Sequence, residues 1–339
     1  MKKKLFIISN ESIFTQNNKF FCDNIDIKST PEGLKKNFEI NLFGRKSFKK
    51  RSHEIKIKNI KIFSNIFTYI SKVISASKET NAEYLIISIS PYTFLICLFL
   101  RLFGKSPIVY LRSDGFGEYK AIFGRLGVSI YFLMFHITSL FSKLISCRNY
   151  ILRGKKGAVV SPSQLDISWT TKLKKSEVKK FNLLYVGRIR IEKGIFSLVN
   201  LIKNKRDIFL SIVGAQENEV HKIYQNNVKI YPIEKNKSKL IKIYDDHNIF
   251  VLPSFTEGHP MVLLEALARR RPVIIFDEIK HIIGDKKGIF VSNRNTRSFL
   301  ENLNYIKKNY AKIQKEMTQN NLPTKKNFEE ELTKIINNM

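Results

Sequence analysis

Two loops of the chain combine glycine with charged side chains directly after an apolar run. The first lies within residues 183–194, where the apolar run ends at Gly187 and Arg188 and Lys193 precede a helix predicted to start after Gly194. Glycines let the backbone approach a ligand closely, and two cations in one loop can converge on one anion, such as a diphosphate. They can also stabilise the charge of a departing nucleoside diphosphate, as a magnesium ion does elsewhere. Two solvated loop cations are the alternative.

The second loop lies within residues 250–268 and contributes a carboxylate. A strand is predicted to end near Leu252, and Pro260 is predicted as the first residue of a helix because its missing N–H would have no helical partner there. Glu257 precedes this helix and lies close to N–H groups that can hold an anion or a sugar oxygen. Plain helix capping is the alternative for Glu257.

A second carboxylate, Glu265, lies in the same predicted helix. Its neighbours from Met261 to Ala268 are otherwise apolar. A buried carboxylate is costly unless hydrogen-bond donors surround it, and the two hydroxyls of a ribose would supply such donors. A buried ion pair with a neighbouring Arg or Lys is the alternative.

The sequence indicates neither a metal site nor a disulfide framework. It contains no Asp-x-Asp motif, and the adjacent pair Asp245 and Asp246 precedes a predicted strand. The three cysteines, Cys22, Cys97 and Cys147, are widely spaced and odd in number, which favours a reducing compartment. We therefore expect a cytoplasmic protein that needs no metal and no other cofactor.

Short apolar runs alternate with helical stretches along the chain, which is typical of a doubly wound parallel sheet. We expect an α/β fold with a Rossmann-like domain at 1–172, a polar linker at 173–181, a second such domain at 182–318, and a C-terminal helix or tail at 319–339 that packs back on the first domain. The predicted strands are 4–9, 84–89, 108–112, 157–160, 182–186, 208–213, 249–252, 273–276 and 288–291.

The chain is strongly basic, with 59 Lys and Arg against 29 Asp and Glu and a net charge of +30. Nucleic acid, anionic lipid or a general bias of the surface would each account for this charge. No zinc-finger or RNA-recognition signature is present, so we expect no nucleic-acid partner. The basic residues 45–51, interleaved with Phe43 and Phe48, suit a bilayer interface and predict association with an anionic membrane surface.

Two stretches are free of Asp, Glu, Lys and Arg, residues 84–100 and 126–142. Each is shorter than the roughly 20 residues that a spanning helix needs. They are predicted to be a buried strand and core helices, with a helix that lies in the membrane interface as the alternative.

Taken together, the two loops resemble the signature of the family-4 retaining glycosyltransferases. Glu257, Gly258 and Pro260 follow a strand ending in Leu-Pro-Ser, and Glu265 stands eight positions after Glu257. Residues 187–194 resemble the upstream diphosphate motif of the same family. The resemblance covers residues 187–291, and it is fainter in the first half of the chain.

The resemblance implies the GT-B fold, in which two Rossmann-like domains face a central cleft. It implies retaining transfer of a hexose-type sugar from a nucleotide-diphosphate donor to a glycan or lipid-linked acceptor, without a metal. The first domain would bind the acceptor and the second the nucleotide sugar. We expect a role in cell-surface polysaccharide or lipopolysaccharide synthesis at the inner face of the membrane. A nucleotide-sugar epimerase of the same fold is the closest alternative, and a basic nucleic-acid-binding protein is the other.

The resemblance also implies roles for single residues. Arg188 and Lys193 would hold the donor diphosphate, Glu265 the ribose and Glu257 the hydroxyls of the transferred sugar. The other residues of the implied donor site are Gly187, Gly258, His259, Pro260, Met261 and Val262. In the first half, Ser113 and Asp114 stand where the family often has a His-Asp pair. The resemblance therefore implies a role in acceptor binding for these two residues, but no role that depends on a histidine. A plain turn before Gly115 is the alternative for Asp114.

Overall fold

The computed structural model describes residues 2–215, 223 and 225–338. Its elements are β1 (Lys4–Gln16), β2 (Lys19–Cys22), α1 (Ile25–Leu34), β3 (Glu39–Ser47), β4 (His53–Ile55), β5 (Asn59–Phe63), α2 (Ile66–Ser77), β6 (Ala82–Ile87), α3 (Pro91–Leu102), β7 (Ile108–Leu111), α4 (Gly115–Phe141), β8 (Lys143–Ser146), β9 (Gly157–Val159), α5 (Ile167–Thr170), β10 (Phe181–Val186), α6 (Ile195–Leu201), β11 (Ile208–Ala215), β12 (Val228–Pro232), α7 (Lys237–Asp246), β13 (Ile249–Leu252), α8 (Met261–Ala268), β14 (Val273–Phe276), β15 (Ile289–Ser292), α9 (Thr296–Met317) and α10 (Lys325–Asn338).

The chain forms two compact units. The N-terminal unit comprises Met1–Ser161 and Lys326–Met339, and the C-terminal unit comprises Pro162–Lys325. The division falls before the linker predicted at 173–181, because Leu165 and Trp169 are buried in the core of the C-terminal unit. The last helix, α10, contributes buried residues to the core of the N-terminal unit.

The N-terminal unit contains one sheet whose parallel strands run in the order β5-β3-β1-β6-β7-β8-β9. Strand β1 continues to Gln16, well beyond the predicted end at residue 9. A two-residue turn at Asn17 and Asn18, both with positive φ, returns the chain as the antiparallel strand β2. Side chains of α2, α3 and α4 share one core cluster with the sheet, and those of α1 and α10 share another.

The C-terminal unit contains a sheet in the order β12-β11-β10-β13-β14-β15, and every neighbouring pair of strands is parallel. Counted from β10, this is the strand order 3-2-1-4-5-6 of a Rossmann domain. The predicted fold class is therefore confirmed for both units. The strand order reverses between β10 and β13, which lie side by side.

Two buried arginines explain the role of Asp245 near the end of α7. Arg269 is 1% exposed, and its guanidinium donates to both carboxylate oxygens of Asp245 at 2.9 and 2.7 Å. It also donates to the carbonyl oxygens of residues 169, 171 and 172. Arg271, equally buried, pairs with the same carboxylate at 3.4 Å. Asp245 is therefore part of a structural ion pair that holds the start of the C-terminal unit against α8.

Replacement of Arg269 by Ala should destabilise the C-terminal unit by about 3 to 5 kcal/mol, because it leaves a half-satisfied carboxylate and three orphaned carbonyls in the interior. Urea unfolding followed by the fluorescence of Trp169, the single tryptophan, measures this loss. Arg297→Ala is the matched control, since Arg297 is exposed on α9, and it should leave the midpoint unchanged. Equal midpoints for the two variants would contradict the structural role.

Candidate functional site

The two loops singled out by the sequence leave the same edge of the C-terminal sheet. Residues 187–194 follow β10 and residues 253–260 follow β13, and these strands pair directly with Leu183 opposite Ile249. Ligands of open α/β sheets bind beyond the carboxyl ends of the strands, at the point where the strand order reverses. Both loops lie at that point, so the topology alone makes this edge the candidate site.

Hydrogen bonding and close packing join the two loops. The backbone N–H of Phe255 donates to the carbonyl oxygen of Glu192 at 3.0 Å. Gly194 has a φ of +66°, and a Cβ added to it would lie 1.8 Å from the carbonyl oxygen of Pro253. Only glycine fits there without moving one loop away from the other.

An ion pair connects the loops through their functional side chains. The Nζ of Lys193 lies 2.6 Å from Oε1 of Glu257, and the two side chains are 26% and 11% exposed. The hydroxyl of Ser254 donates to the same carboxylate oxygen at 2.6 Å. The Nε2 of His281 donates to the backbone carbonyl of Glu257 at 2.8 Å. The capping alternative for Glu257 is wrong, because α8 has no side-chain cap.

Glu265 is hydrogen-bonded to a tyrosine and, in the part of the chain that the structure describes, is not paired with an Arg or Lys, which was the alternative considered for it. The hydroxyl of Tyr244 donates to Oε2 of Glu265 at 2.8 Å, and the described residues include no cation paired with this carboxylate. Burial raises the pKa of Glu265 to about 7, while the hydrogen bond from Tyr244 acts in the opposite direction. The carboxyl thus changes charge near neutral pH, and it lies on the helix that follows the Glu257 loop.

Arg188 is placed at the same edge but is not part of the ion-pair cluster. Its side chain is exposed and forms no hydrogen bond or ion pair within the described part of the chain. Its carbonyl oxygen accepts a hydrogen bond from the hydroxyl of Tyr185 at 2.8 Å. Lys193, the other cation of this loop, is paired with Glu257.

A second close approach of backbone occurs beside Arg188. The N–H of Gly187 donates to the carbonyl oxygen of Val213 at 2.8 Å. Gly214 has a φ of +119°, and a Cβ added to it would lie 2.6 Å from the carbonyl oxygen of Gly187. No sequence pattern indicates this contact, because the two glycines are far apart in the chain.

Arg294 was not among the predicted site residues. It lies just after β15 and packs against residues of the site. Its guanidinium carbon lies 4.0 Å from the ring centre of Phe255 and 4.3 Å from that of Phe276. It pairs with Glu278 at 2.8 Å and donates to the hydroxyl of Ser197 at 3.1 Å. Its position three residues after the strand predicted at 288–291 was the available signal, since that places it at the same sheet edge.

The remaining residues of the predicted donor site lie at the start of α8. Gly258 and His259 belong to the loop, and the Nε2 of His259 donates to the carbonyl oxygen of Pro162 at 2.7 Å. Pro260 is not the first helical residue as predicted. It has an extended ψ of 115° and flanks the helix, which begins at Met261 and continues with Val262.

The predicted acceptor residues lie in the other unit. Ser113 and Asp114 follow β7 of the N-terminal sheet, and Asp114 precedes α4 without forming a side-chain cap. Its carboxylate accepts hydrogen bonds from Arg153 at 3.3 and 3.2 Å. The structure therefore gathers the predicted donor residues on one edge of the C-terminal unit and leaves these two in the N-terminal unit. Within the described residues, no group of three or more His, Cys, Asp or Glu side chains is arranged to hold a metal.

The fold of the chain is similar to that of solved structures. The chain has the GT-B fold of glycosyltransferases, with a TM-score of 0.73 to the Anabaena protein Alr3699/HepE, solved in complex with UDP and glucose. That likeness covers 99% of this chain and 100% of the other at 12% sequence identity.

The sequence comparisons narrow the class in the C-terminal unit. Residues 169–322 match the family model described as "Glycosyl transferases group 1". A putative teichuronic acid biosynthesis glycosyltransferase of Bacillus subtilis, TuaC, is 30% identical over 124 residues, which are 35% of this chain and 31% of that protein. The capsular polysaccharide biosynthesis glycosyltransferase CapM of Staphylococcus aureus is 27% identical over 136 residues, 36% of each chain. The match spans about a third of the length of these relatives.

Gly194→Ala should destabilise the C-terminal unit more than Gly284→Ala, because Gly284 has a nearly equal φ of +61° but an added Cβ would meet only Nζ of Lys286, at an ordinary contact distance of 3.6 Å. The left-handed backbone costs both variants about 1 to 2 kcal/mol. The clash with Pro253 adds about 1 to 3 kcal/mol for Gly194 alone. Urea unfolding followed by Trp169 fluorescence measures both variants, and equal losses of stability would show that the two loops are not packed as described.

Proposed function

We propose that this protein is a retaining glycosyltransferase that moves a hexose-type sugar from a nucleotide-diphosphate donor to a hydroxyl of a glycan or glycolipid. The reaction would serve the synthesis of cell-surface polysaccharide or lipopolysaccharide and would need no metal. The contact between Lys193 and Glu257 at the strand-order reversal carries the proposal, because it puts a cation and a carboxylate where a nucleotide sugar would bind. The family match of residues 169–322 supports it.

Lys193 can bind the donor diphosphate without releasing Glu257. An ammonium group has three donor hydrogens, and one of them satisfies Glu257 in the described contact. Arg188, exposed beside the loop, supplies a second cation that is free to turn toward the diphosphate. First-turn N–H groups of α8 have no helical acceptor and would bind remaining phosphate or sugar oxygens.

The two carboxylates would bind the two ends of the donor. Glu257 is held by Lys193 and Ser254, so its carboxylate is fixed in place to accept hydrogen bonds from hydroxyls of the transferred sugar. Glu265 would accept hydrogen bonds from the ribose. Gly187, Gly258, His259, Pro260, Met261 and Val262 would shape the pocket through their backbone groups.

We further propose front-face transfer. The bond between the anomeric carbon and the leaving phosphate oxygen breaks ahead of bond formation to the acceptor oxygen. The acceptor hydroxyl gives its proton to the leaving phosphate oxygen on the same face, which retains the anomeric configuration. Arg188 and Lys193 stabilise the charge that grows on the diphosphate, and Glu257 positions the sugar. Ser113 and Asp114 of the N-terminal unit would orient the acceptor.

Lys193→Ala and Arg188→Ala should each lower turnover by about 100- to 1,000-fold, because each removes a fixed donor to the charge of the transition state. A thermal-shift panel of nucleoside diphosphates and their sugars first identifies the donor, since a ligand that binds the folded state raises Tm. Lys179→Ala is the matched control, because Lys179 is exposed and lies before β10, away from the carboxyl edge. Near-normal turnover in both site variants would refute the assignment.

The product of the same assay tests the reaction type. Retention at the anomeric carbon is expected, and inversion would contradict the proposal. Release of a free epimer, with no sugar on an acceptor, would identify the epimerase instead.

Glu265→Gln should remove a pH dependence from nucleotide binding. Because the pKa of Glu265 is raised to about 7, ionisation of this carboxyl between pH about 6 and about 8 creates a stronger acceptor for ribose hydroxyls, and affinity should rise over that range. Binding near pH 7 should release a proton, which titration calorimetry in buffers of different ionisation enthalpy detects. Subtraction of the variant from the wild type removes the titration of the phosphate itself.

The same raised pKa has the opposite effect on the ligand-free protein. Between the ordinary value of 4.5 and about 7, the unfolded chain has already lost the Glu265 proton and the folded chain has not. Stability from this group therefore falls as pH rises through that range. A wild type and a Glu265→Gln variant with the same pH profiles, for binding and for stability, would exclude the assigned environment of Glu265.

A further inference from the structure

The helix α4 exposes large apolar side chains along its outer side. We call this surface the outer face of α4 and define it by Ile122, Phe123, Leu126, Phe132, Leu133 and Leu140, which are 56 to 69% exposed. Helix α3, which packs beside α4, adds the exposed Leu102 at its end. Contiguous exposed apolar surface of this kind marks a site of interaction with a protein or a membrane.

The opposite side of α4 is also apolar and is already in use. Tyr131, Met134 and Phe135 are buried in the core that α4 shares with the N-terminal sheet. A surface helix normally presents polar residues opposite its buried stripe. The exposed side of this helix is largely apolar as well, and only 28% of its most apolar 18-residue stretch is buried.

By length and composition α4 could cross a membrane, but its connections place it along the protein surface. The strands before and after it, β7 and β8, pair directly, with Ile108 opposite Lys143. A helix that spanned a bilayer would carry these two ends to opposite sides and separate the strands. The geometry thus fits a helix that lies in the plane of an interface.

The charges around this face favour an anionic partner. From Tyr119 to Phe141 the helix contains two charged residues, Lys120 and Arg125, and both are exposed. The neighbouring helix α3 ends with the exposed cation Arg101. Cations next to exposed rings and leucines suit a bilayer, where headgroups meet the former and acyl chains the latter.

The basic segment 45–51, predicted as the membrane surface, is a weaker candidate. Phe43 is 1% exposed and belongs to the core. Arg45 stacks on Tyr92, and Arg51 pairs with Asp23 at 2.6 Å. Phe43, Arg45 and Arg51 therefore contact other residues of the protein, although they were predicted to contact lipid. Phe48 remains exposed.

We propose that the outer face of α4 inserts into the headgroup region of a bilayer that contains anionic lipid. A second copy of the chain fits less well, because a twofold contact through this face would bring Lys120 and Arg125 of both copies together, and Glu118 in the first turn is the only acidic residue of the helix. The inference goes beyond the proposed sugar transfer and does not depend on it. A membrane-bound protein of this kind would meet lipid-linked molecules at the surface where it docks.

Vesicle flotation with purified full-length protein tests this surface. The wild type should float with vesicles that mix phosphatidylglycerol and phosphatidylcholine, less with phosphatidylcholine alone, and less as salt is added. Leu126→Asp/Leu133→Asp should lower partitioning by about 100-fold, because each substitution removes a leucine that would enter the bilayer and adds a negative charge. Ile167→Asp/Tyr305→Asp is the matched control, since both residues are as exposed but lie in the C-terminal unit.

The possible results distinguish a membrane from a second copy of the chain as the partner of this face. They also distinguish this proposal from the proposed function. Equal flotation of the two double variants, or equal flotation on neutral and anionic vesicles, would overturn the proposal. So would a lipid-free dimer that Leu126→Asp/Leu133→Asp converts to monomer, because the face would then be a subunit interface. Unchanged stabilisation by the nucleotide in both double variants shows an intact C-terminal unit, so failure of vesicle binding is distinct from failure of the proposed function.

A conservative variant guards against misfolding of the aspartate variant. Phe132→Trp keeps an aromatic side chain at a position that is 56% exposed. Its fluorescence should be quenched by brominated acyl chains, over the background of the buried Trp169. Absence of quenching on vesicles that bind the protein would show that another surface inserts.

Discussion

The carboxyl ends of the parallel strands in the C-terminal unit all lie on one edge, and the strand order reverses between β10 and β13. Successive crossovers run in opposite directions from that point, so the two following loops leave side by side with no helix between them. Their packing is tight, since Gly194 lies against the carbonyl of Pro253. This backbone constraint brings Lys193 to Glu257, although 64 positions separate them in the chain. The candidate site exists because of it.

Charged groups in the C-terminal unit fall into two physical classes. Arg269 is 1% exposed, and its N–H groups all donate to Asp245 or to backbone carbonyls, so it has no donor left for a ligand. Lys193 is 26% exposed and pairs with Glu257 alone among the described residues, so its ammonium keeps donor hydrogens for a ligand. Glu265 is intermediate, since its burial is relieved by the single hydroxyl of Tyr244 and its pKa is raised to about 7. Partial satisfaction, more than charge itself, distinguishes the groups suited to binding.

The N-terminal unit distributes its apolar residues differently. Its helix α4 is apolar on the side that packs on the sheet and on the side that faces out. An amphipathic sequence pattern would have identified the buried face of this helix. Because both faces are largely apolar, the sequence does not distinguish the buried face from the exposed one. The charge-free stretch 126–142 covers only the second part of this helix and is too short to indicate a 27-residue element. The first part carries charged residues and is separated from the second by a kink at Gly124.

The sequence by itself determined the α/β class, the parallel sheets, and the two loops that carry Arg188, Lys193, Glu257 and Glu265. It could do so because buried parallel strands are short apolar runs, and because glycine and proline mark where each strand ends. It placed the unit boundary too late, because Trp169 looks like part of a polar stretch until the core is assembled. It also missed β2 to β5, β8 and β12, whose alternating or short patterns resemble loops.

Only the tertiary structure decided the partners of these side chains. Lys193 pairs with Glu257, and Glu265 pairs with Tyr244. Arg294 packs against Phe255 and Phe276. All of these contacts join residues that are distant in the chain. Local propensity carries no information about such contacts. They arise when strand pairing brings separate loops to one edge, and the strength of each interaction is then set by how far that edge excludes water.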